Sequence, residues 1–307
     1  MRTAREALAR QLFDGTAWSR IRARIRSRSP ATQPTRPARP SPATLLAAGD
    51  GALARADYDT AVRCMYLAVD LDPTQTDSLR CLAVALVAAK RFDEAIPVYE
   101  SLLGAAPEDR TARFNLALAL ARVLNFRRAE LEYRRLVESD ERFVQAWYNL
   151  ATLHQAQGKL DDAQRTWRKV LALAPHLPSA HACLAEVLLD LGRAEEAMGA
   201  YAEAAKLSPN EVAAWVNLAS AAERAGSYGR AVVALQKAAR LAPEDADVHA
   251  RLGNVLIELH RATNRRVFLL DAVAAWRESV RLDPTQQALR EKLRRYEPLA
   301  ATRPATH

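Results

Sequence analysis

Cysteine is scarce: the 307 residues hold three, Cys64, Cys81 and Cys183, with no C-x-x-C pair. That excludes a disulfide framework and a zinc site built on paired cysteines, and it fits a reducing, cytoplasmic compartment. Long hydrophobic runs are also missing. The longest unbroken apolar run is Cys81 to Ala89, far short of the ~20 residues a membrane-spanning helix needs. No secretory core follows the N-terminus. Catalytic signatures are absent as well. The six histidines, His154, His176, His181, His249, His260 and His307, show no H-E-x-x-H spacing, and there is no G-x-S-x-G, Walker loop or G-x-G-x-x-G. No enzyme, cofactor or metal is expected.

What is present is a period. Pro73, Pro107, Pro175, Pro209 and Pro243 recur at steps of 34 residues, or 68 where one is skipped, and Ala61, Ala95, Ala129, Ala163, Ala197 and Ala231 keep the same step. Such a period means stacked repeats. Each unit carries two apolar stripes at helical spacing, for example Trp147, Leu150, Ala151 and His154, then Ala163, Trp167 and Val170. Gly158 between them suits the left-handed end of a helix, and Pro175 cannot continue one. The unit is an antiparallel helix pair, and the fold class is an all-α solenoid whose core is spread between neighbours. Cys81 and Cys183 are three periods apart, so a bridge between them is implausible.

The unit resembles the tetratricopeptide repeat, in which small residues mark the helix crossing. The crossing position reads Gly49, Ala83, Ala117, Ala151, Ala185, Ala219 and Gly253; the second-helix alanines are the series above plus Ala272. Four places later stand Met65, Tyr99, Tyr133, Trp167, Tyr201, Leu235 and Trp276. The resemblance implies a seven-repeat domain over 42–284, winding as a right-handed superhelix. Before it lies a basic, Pro-rich arm over 1–41, read as disordered, and after it a capping helix and frayed tail over 285–307. Ser41 before Pro42 is a good helix start. The third unit has Glu141 in the proline place, so its last turn is expected to run on. The seventh unit is seven residues too long near 260–270, enough to lengthen both helices by about two turns in all. Two readings stand for it: a longer hairpin covering its own apolar residues, or a protruding partner contact. Leu289, Leu293 and Tyr296 form the capping stripe, which Pro298 is expected to end.

The net charge of +8 sits in the arm: residues 1–40 carry ten arginines against Glu6 and Asp14. Arg20, Arg22, Arg24, Arg26 and Arg28 alternate with Ile21, Ala23 and Ile25, so an extended chain places the two sets on opposite sides. Upstream, Ala4, Leu8, Leu12 and Phe13 mark a short amphipathic stripe. Nucleic-acid phosphates, an anionic membrane surface reached through residues 1–28, and an acidic protein all suit such an arm. Its composition also looks like an organelle transit peptide. No aromatic interleaving supports single-strand nucleic-acid binding. Alanine and arginine richness suggests a GC-rich bacterial genome.

In the resembling family the first helices line the concave side and bind peptide segments. Asn115, Asn149 and Asn217 share one place there, each before a Leu-Ala pair, as in the repeats of the O-linked N-acetylglucosamine transferases. In those repeats, asparagines hold the backbone of a bound chain. An asparagine offers both a donor and an acceptor. Cys81, Cys183 and Arg251 interrupt the series. The same asparagines suit a second role, bonding to a neighbouring helix. The carboxylate clamp of chaperone-binding relatives is absent, since Phe114, Tyr148 and Val216 occupy its lysine place; C-terminal chaperone tails are not expected ligands. Arg80, Gln145, Thr152 and Gln155 complete the expected groove towards the N-terminus. Glu186, Asp190, Ser220, Glu223 and Asn254 complete it towards the C-terminus, with an acidic lean that suits a partly basic segment. Asp93-Glu94, Asp161-Asp162 and Glu195-Glu196 recur at the start of second helices, where the helix dipole favours acids. The resemblance implies protein binding without catalysis, because no segment corresponds to a glycosyltransferase domain.

The expected function is a scaffold or adaptor that holds an extended partner segment during assembly of a larger complex. Two alternatives are a membrane-surface- or nucleic-acid-associated factor acting through the arm, and an accessory substrate-recognition subunit of a separate enzyme. Opposite charge and a flexible tether also raise self-occupancy of the groove by Arg20 to Arg28. Removing residues 1–40 then raises partner affinity, measured by titrating full-length and truncated chains; unchanged affinity rules self-occupancy out.

Overall fold

Ser41 starts the first helix of the computed structural model: its hydroxyl accepts from the Thr44 amide at 3.2 Å, and Pro42 occupies the first turn, where a missing N–H costs nothing. The structure describes residues 40–301. The arginines Arg20, Arg22, Arg24, Arg26 and Arg28, the upstream amphipathic stripe and the expected frayed tail lie outside those residues. The described residues form fifteen α-helices and no strand. None of the helices is long and apolar enough to cross a membrane.

The helices come in pairs: α1 (Pro42–Ala54) with α2 (Tyr58–Leu71), α3 (Thr76–Ala88) with α4 (Phe92–Ala105), and α5 (Arg110–Arg122) with α6 (Phe126–Ser139). Next come α7 (Val144–Ala156), α8 (Leu160–Leu173), α9 (Pro178–Asp190), α10 (Ala194–Leu207), α11 (Val212–Arg224) and α12 (Tyr228–Leu241). The series closes with α13 (Ala246–Thr263), α14 (Arg266–Leu282) and α15 (Gln287–Ala301). A 13-residue first helix, a three-residue turn, a 14-residue second helix and a four-residue turn make up the period of the first six pairs. The chain divides into two compact units between Leu153 and His154. Within each, consecutive helices pack on one another.

The core follows the small-residue register. Every second-helix alanine of the series, from Ala61 to Ala272, is fully buried, as are Ala83, Ala117, Ala151, Ala185 and Ala219 on the first helices. The large residues Met65, Tyr99, Tyr133, Trp167, Leu235 and Trp276 are among the buried core. At both ends of the series the small residue is glycine for a steric reason. A Cβ on Gly49 would lie 2.9 Å from Met65 Cγ, and one on Gly253 would lie 2.3 Å from Trp276 Cδ1.

The turns carry a phase of their own. Gly158, Gly192 and Gly226 adopt left-handed φ of 69°, 74° and 69°. The same place in earlier units holds Ala56, Lys90 and Leu124, at φ of 57°, 58° and 61°. A side chain there works against the chirality of the backbone. Several helix starts are capped by a side-chain acceptor: Asp57, Asp109 and Asn125 accept from the amides of Thr60, Ala112 and Arg128. Asp93-Glu94, Asp161-Asp162 and Glu195-Glu196 fall in the first turns of α4, α8 and α10.

At five of the proline places, a donor six residues later closes the turn between units. Arg113, Trp147, His181, Trp215 and His249 bond to the carbonyls of Pro107, Glu141, Pro175, Pro209 and Pro243 at 2.7 to 3.0 Å. A carbonyl only accepts, so Nε2 of His181 and His249 carries the proton.

Two expectations are corrected. The last turn of the third unit does not run on: α6 ends at Ser139, like its counterparts, although Glu141 replaces proline. Asp140 imposes the stop by side-chain bonds, accepting from the Arg142 amide at 3.0 Å and from Arg110 at 2.8 Å while extended at φ −146°. Pro298 does not end the capping helix, which continues to Ala301. Ala300 is buried and its carbonyl accepts from Arg266 at 2.5 Å, so tertiary contacts hold the turn after the proline. The seven extra residues do lengthen both helices of the last pair, to 18 and 17 residues. Leu269 is buried, Arg265 lies over the Phe268 ring, and Arg261 donates to the Tyr296 hydroxyl at 2.9 Å. The long hairpin packs on itself and on α15.

Leu124 is 72% exposed and held at φ 61°. Leu124→Gly removes a penalty of ~1–2 kcal/mol and adds a smaller unfolded-state entropy of ~0.4–1 kcal/mol. A net gain of about 0.5–1 kcal/mol in urea unfolding is expected; no gain means the turn is not strained.

Candidate functional site

The expected groove residues all lie on first helices, and each unit presents its own row. In the first unit, Arg80 on α3 is bound to Asp77 at 2.9 Å and to Asp109, the cap of α5, at 2.8 Å. These bonds, that to Asp109 foremost, hold the guanidinium pKa above its ordinary value. Asp109 feels burial first, which raises its pKa, but the Ala112 amide and Arg80 outweigh this and keep it below the usual carboxylate range. Arg80 is therefore a tie between successive repeats. Gln145 is exposed on α7, Tyr148 is half-buried, and the Thr152 hydroxyl donates to the Tyr148 carbonyl at 3.0 Å. Phe114 is a packing residue, edge-on to Tyr133 at 6.0 Å and 5.6 Å from Phe143.

The asparagines separate into two kinds. Burial pushes the Tyr99 and Tyr133 hydroxyls up to about 12, and hydrogen bonds from Asn115 and Asn149 act in the opposite direction. Each of these asparagines thus engages the large second-helix residue of the preceding pair. Asn217 stands in the same register after Tyr201, yet makes no hydrogen bond among the described residues. Burial, then the field of Glu186, sets Tyr201 at about 12. The sequence contains the signal for this pairing. A tyrosine stands 16 residues before each of the three asparagines, and Met65, Trp167 and Leu235 stand before the interruptions Cys81, Cys183 and Arg251.

In the second unit, Gln155 donates to Glu186 at 3.2 Å, and both Glu186 and Asp190 are exposed on α9. The acidic lean does not extend along the row. Glu223 is paired with Arg251 at 2.8 Å, and Arg251 also donates to the Ser220 hydroxyl at 2.9 Å. Asn254 accepts from Lys292 of α15 at 2.7 Å. His154 is buried with Nδ1 3.1 Å from the Thr166 hydroxyl. Cys64, Cys81 and Cys183 form no disulfide.

Repeated helix pairs with small residues at their crossings, turned by left-handed residues at a fixed step, define a repeat solenoid. A tetratricopeptide repeat family model matches residues 82–123, 148–212 and 184–246, and the fold is a tetratricopeptide-repeat solenoid. Its fold is similar to the C-terminal part of a TPR repeat-containing protein from Cytophaga hutchinsonii, with a TM-score of 0.65 at 18% identity, covering 80% of this chain and 98% of that one. A tetratricopeptide repeat protein from Parabacteroides merdae gives 0.56 at 15% identity, covering 83% and 98%. YrrB, described as a TPR protein with an unusual peptide-binding site, gives 0.52 at 17% identity, covering 64% and 97%. At such identities the likeness is one of fold. No curated protein matches the chain.

Removing the tyrosine hydroxyl tests its coupling to the asparagine. Tyr133→Phe is expected to cost about 0.5–1.5 kcal/mol in denaturant unfolding, with little further loss on adding Asn149→Ala. Additive losses mean the two side chains act independently.

Proposed function

We propose that the chain is a non-catalytic scaffold that holds an extended segment of a partner protein along the face of its first helices, during assembly of a larger complex. One observation carries this reading: Asn217, half-buried on α11 in the register of Asn115 and Asn149, leaves its amide donor and acceptor unengaged among the described residues. An amide of this kind pairs with both groups of a peptide unit. The peptide-binding site for which YrrB is described supports the reading at the level of fold. The membrane, nucleic-acid and transit readings rest on residues 1–39, outside the described part. The accessory-subunit reading differs only in what the partner is.

Affinity purification with and without residues 1–40, followed by identification of what is retained, finds the partner. Asn149→Ala with Asn217→Ala is then expected to weaken binding roughly tenfold or more, with Asn217 carrying the larger share. Intact binding by the double variant ends the proposal.

A further inference from the structure

Lys292 stands eight residues after Pro284, as Asn217 does after Pro209 and Arg251 after Pro243. By register, α15 is an eighth first helix, and Lys292 is the last rung of the asparagine series. It also repeats the pairing of the earlier rungs. Trp276 stands 16 residues before it, as Tyr133 stands before Asn149, and the Lys292 ammonium lies 5.6 Å from the Trp276 ring.

A cavity of about 280 Å³ opens at this place within the second unit, lined by Glu223, Asn254, Glu258, Arg261, Trp276 and Lys292 among others. Its charges do not balance. Glu223 is paired with Arg251 at 2.8 Å and Glu258 with Arg261 at 2.7 Å. Lys292 is exposed and bonds only to the neutral Asn254 oxygen, with no carboxylate in ion-pair range among the described residues. The Asn254 amide hydrogens are unengaged. The indole N–H of Trp276, 1% exposed, also lacks an acceptor. The site therefore holds unengaged donors and one positive charge with no carboxylate paired to it, while Glu223 and Glu258 are each paired with an arginine.

We propose that this pocket takes the carboxylate of an aspartate or glutamate in the bound partner segment, with Lys292 and Asn254 as its donors. The proposal rests on the groove reading above and adds a specificity to it. One positive charge matches one carboxylate. A phosphorylated side chain brings ~1.5–2 negative charges beside Glu223 and Glu258, which disfavours it. The lysine stands on the rung itself, not one place before it as in the clamp of chaperone-binding relatives. A basic residue of the partner suits only the α9 end, where Glu186 and Asp190 stay exposed. The charge sequence along the second unit thus sets the direction in which the segment lies.

The test is selection of a random dodecapeptide display library on the full-length chain at low salt. Selected peptides are expected to share an acidic residue at one position. A selected peptide should bind about tenfold more weakly to Lys292→Met, and so should its Gln-for-Glu version to the native chain. The two changes together should cost little more than either alone, and Lys292→Arg should retain most of the affinity. Lys292 is exposed, so thermal unfolding of the methionine variant is expected to match the native chain. Peptides without a fixed acidic position, or affinity unchanged by Lys292→Met, overturn the proposal. If Asn217→Ala still weakens those peptides, the groove reading survives that loss. If neither variant matters, or no peptide is selected, both fall.

Discussion

The close approach of the two helices in each pair is the constraint on which the structure depends. It requires a position with no side chain beyond Cβ on both helices, repeated at every pair. Where the opposing residue is large and inflexible the requirement tightens to glycine, as at Gly253 beneath the Trp276 indole. Helices that touch this closely transmit their register to the next pair, so one steric condition, met repeatedly, aligns the first helices side by side within each compact unit. The aligned faces then bring equivalent residues such as Asn217, Arg251 and Lys292 into one row.

The row is not uniform, and its differences arise one layer beneath it. Tyr99 and Tyr133 engage the asparagines above them, whereas Trp276 offers a ring and its partner is a lysine. The second-helix core residue thus influences the chemistry of the rung it supports. A tyrosine hydroxyl favours an amide, and an aromatic face favours a cation. Core and surface are therefore coupled, and a variable surface rung can keep its buried support satisfied only if both positions change together.

Much of the fold was legible because its cause is local and repeated. The alanine series, the crossing residues and Ser41-Pro42 each act through neighbours within a turn or two, and all stand where their spacing predicts. The third unit and the capping helix depart from their local signals for the opposite reason. By proline's effect on its own backbone alone, α6 would run on past Glu141 and α15 would stop at Pro298. The outcome rested on Asp140 bonding to Arg110, and on Arg266 reaching the Ala300 carbonyl. The left-handed turns of the first three units were hidden likewise, because Ala56, Lys90 and Leu124 carry no intrinsic preference for that conformation.

By itself the sequence determined the helix pairs, their 34-residue beat and the places where small residues must stand, since helix formation and close packing read out periodicity and side-chain size. Tertiary structure alone decided which polar groups remain free. Glu223 and Arg251, 28 residues apart, cancel one another, and Asn254 meets Lys292 across 38 residues. A charge is available to a partner only when no side chain from the next helix neutralises it. That depends on which groups the packing brings together, and residue type at one position does not contain it.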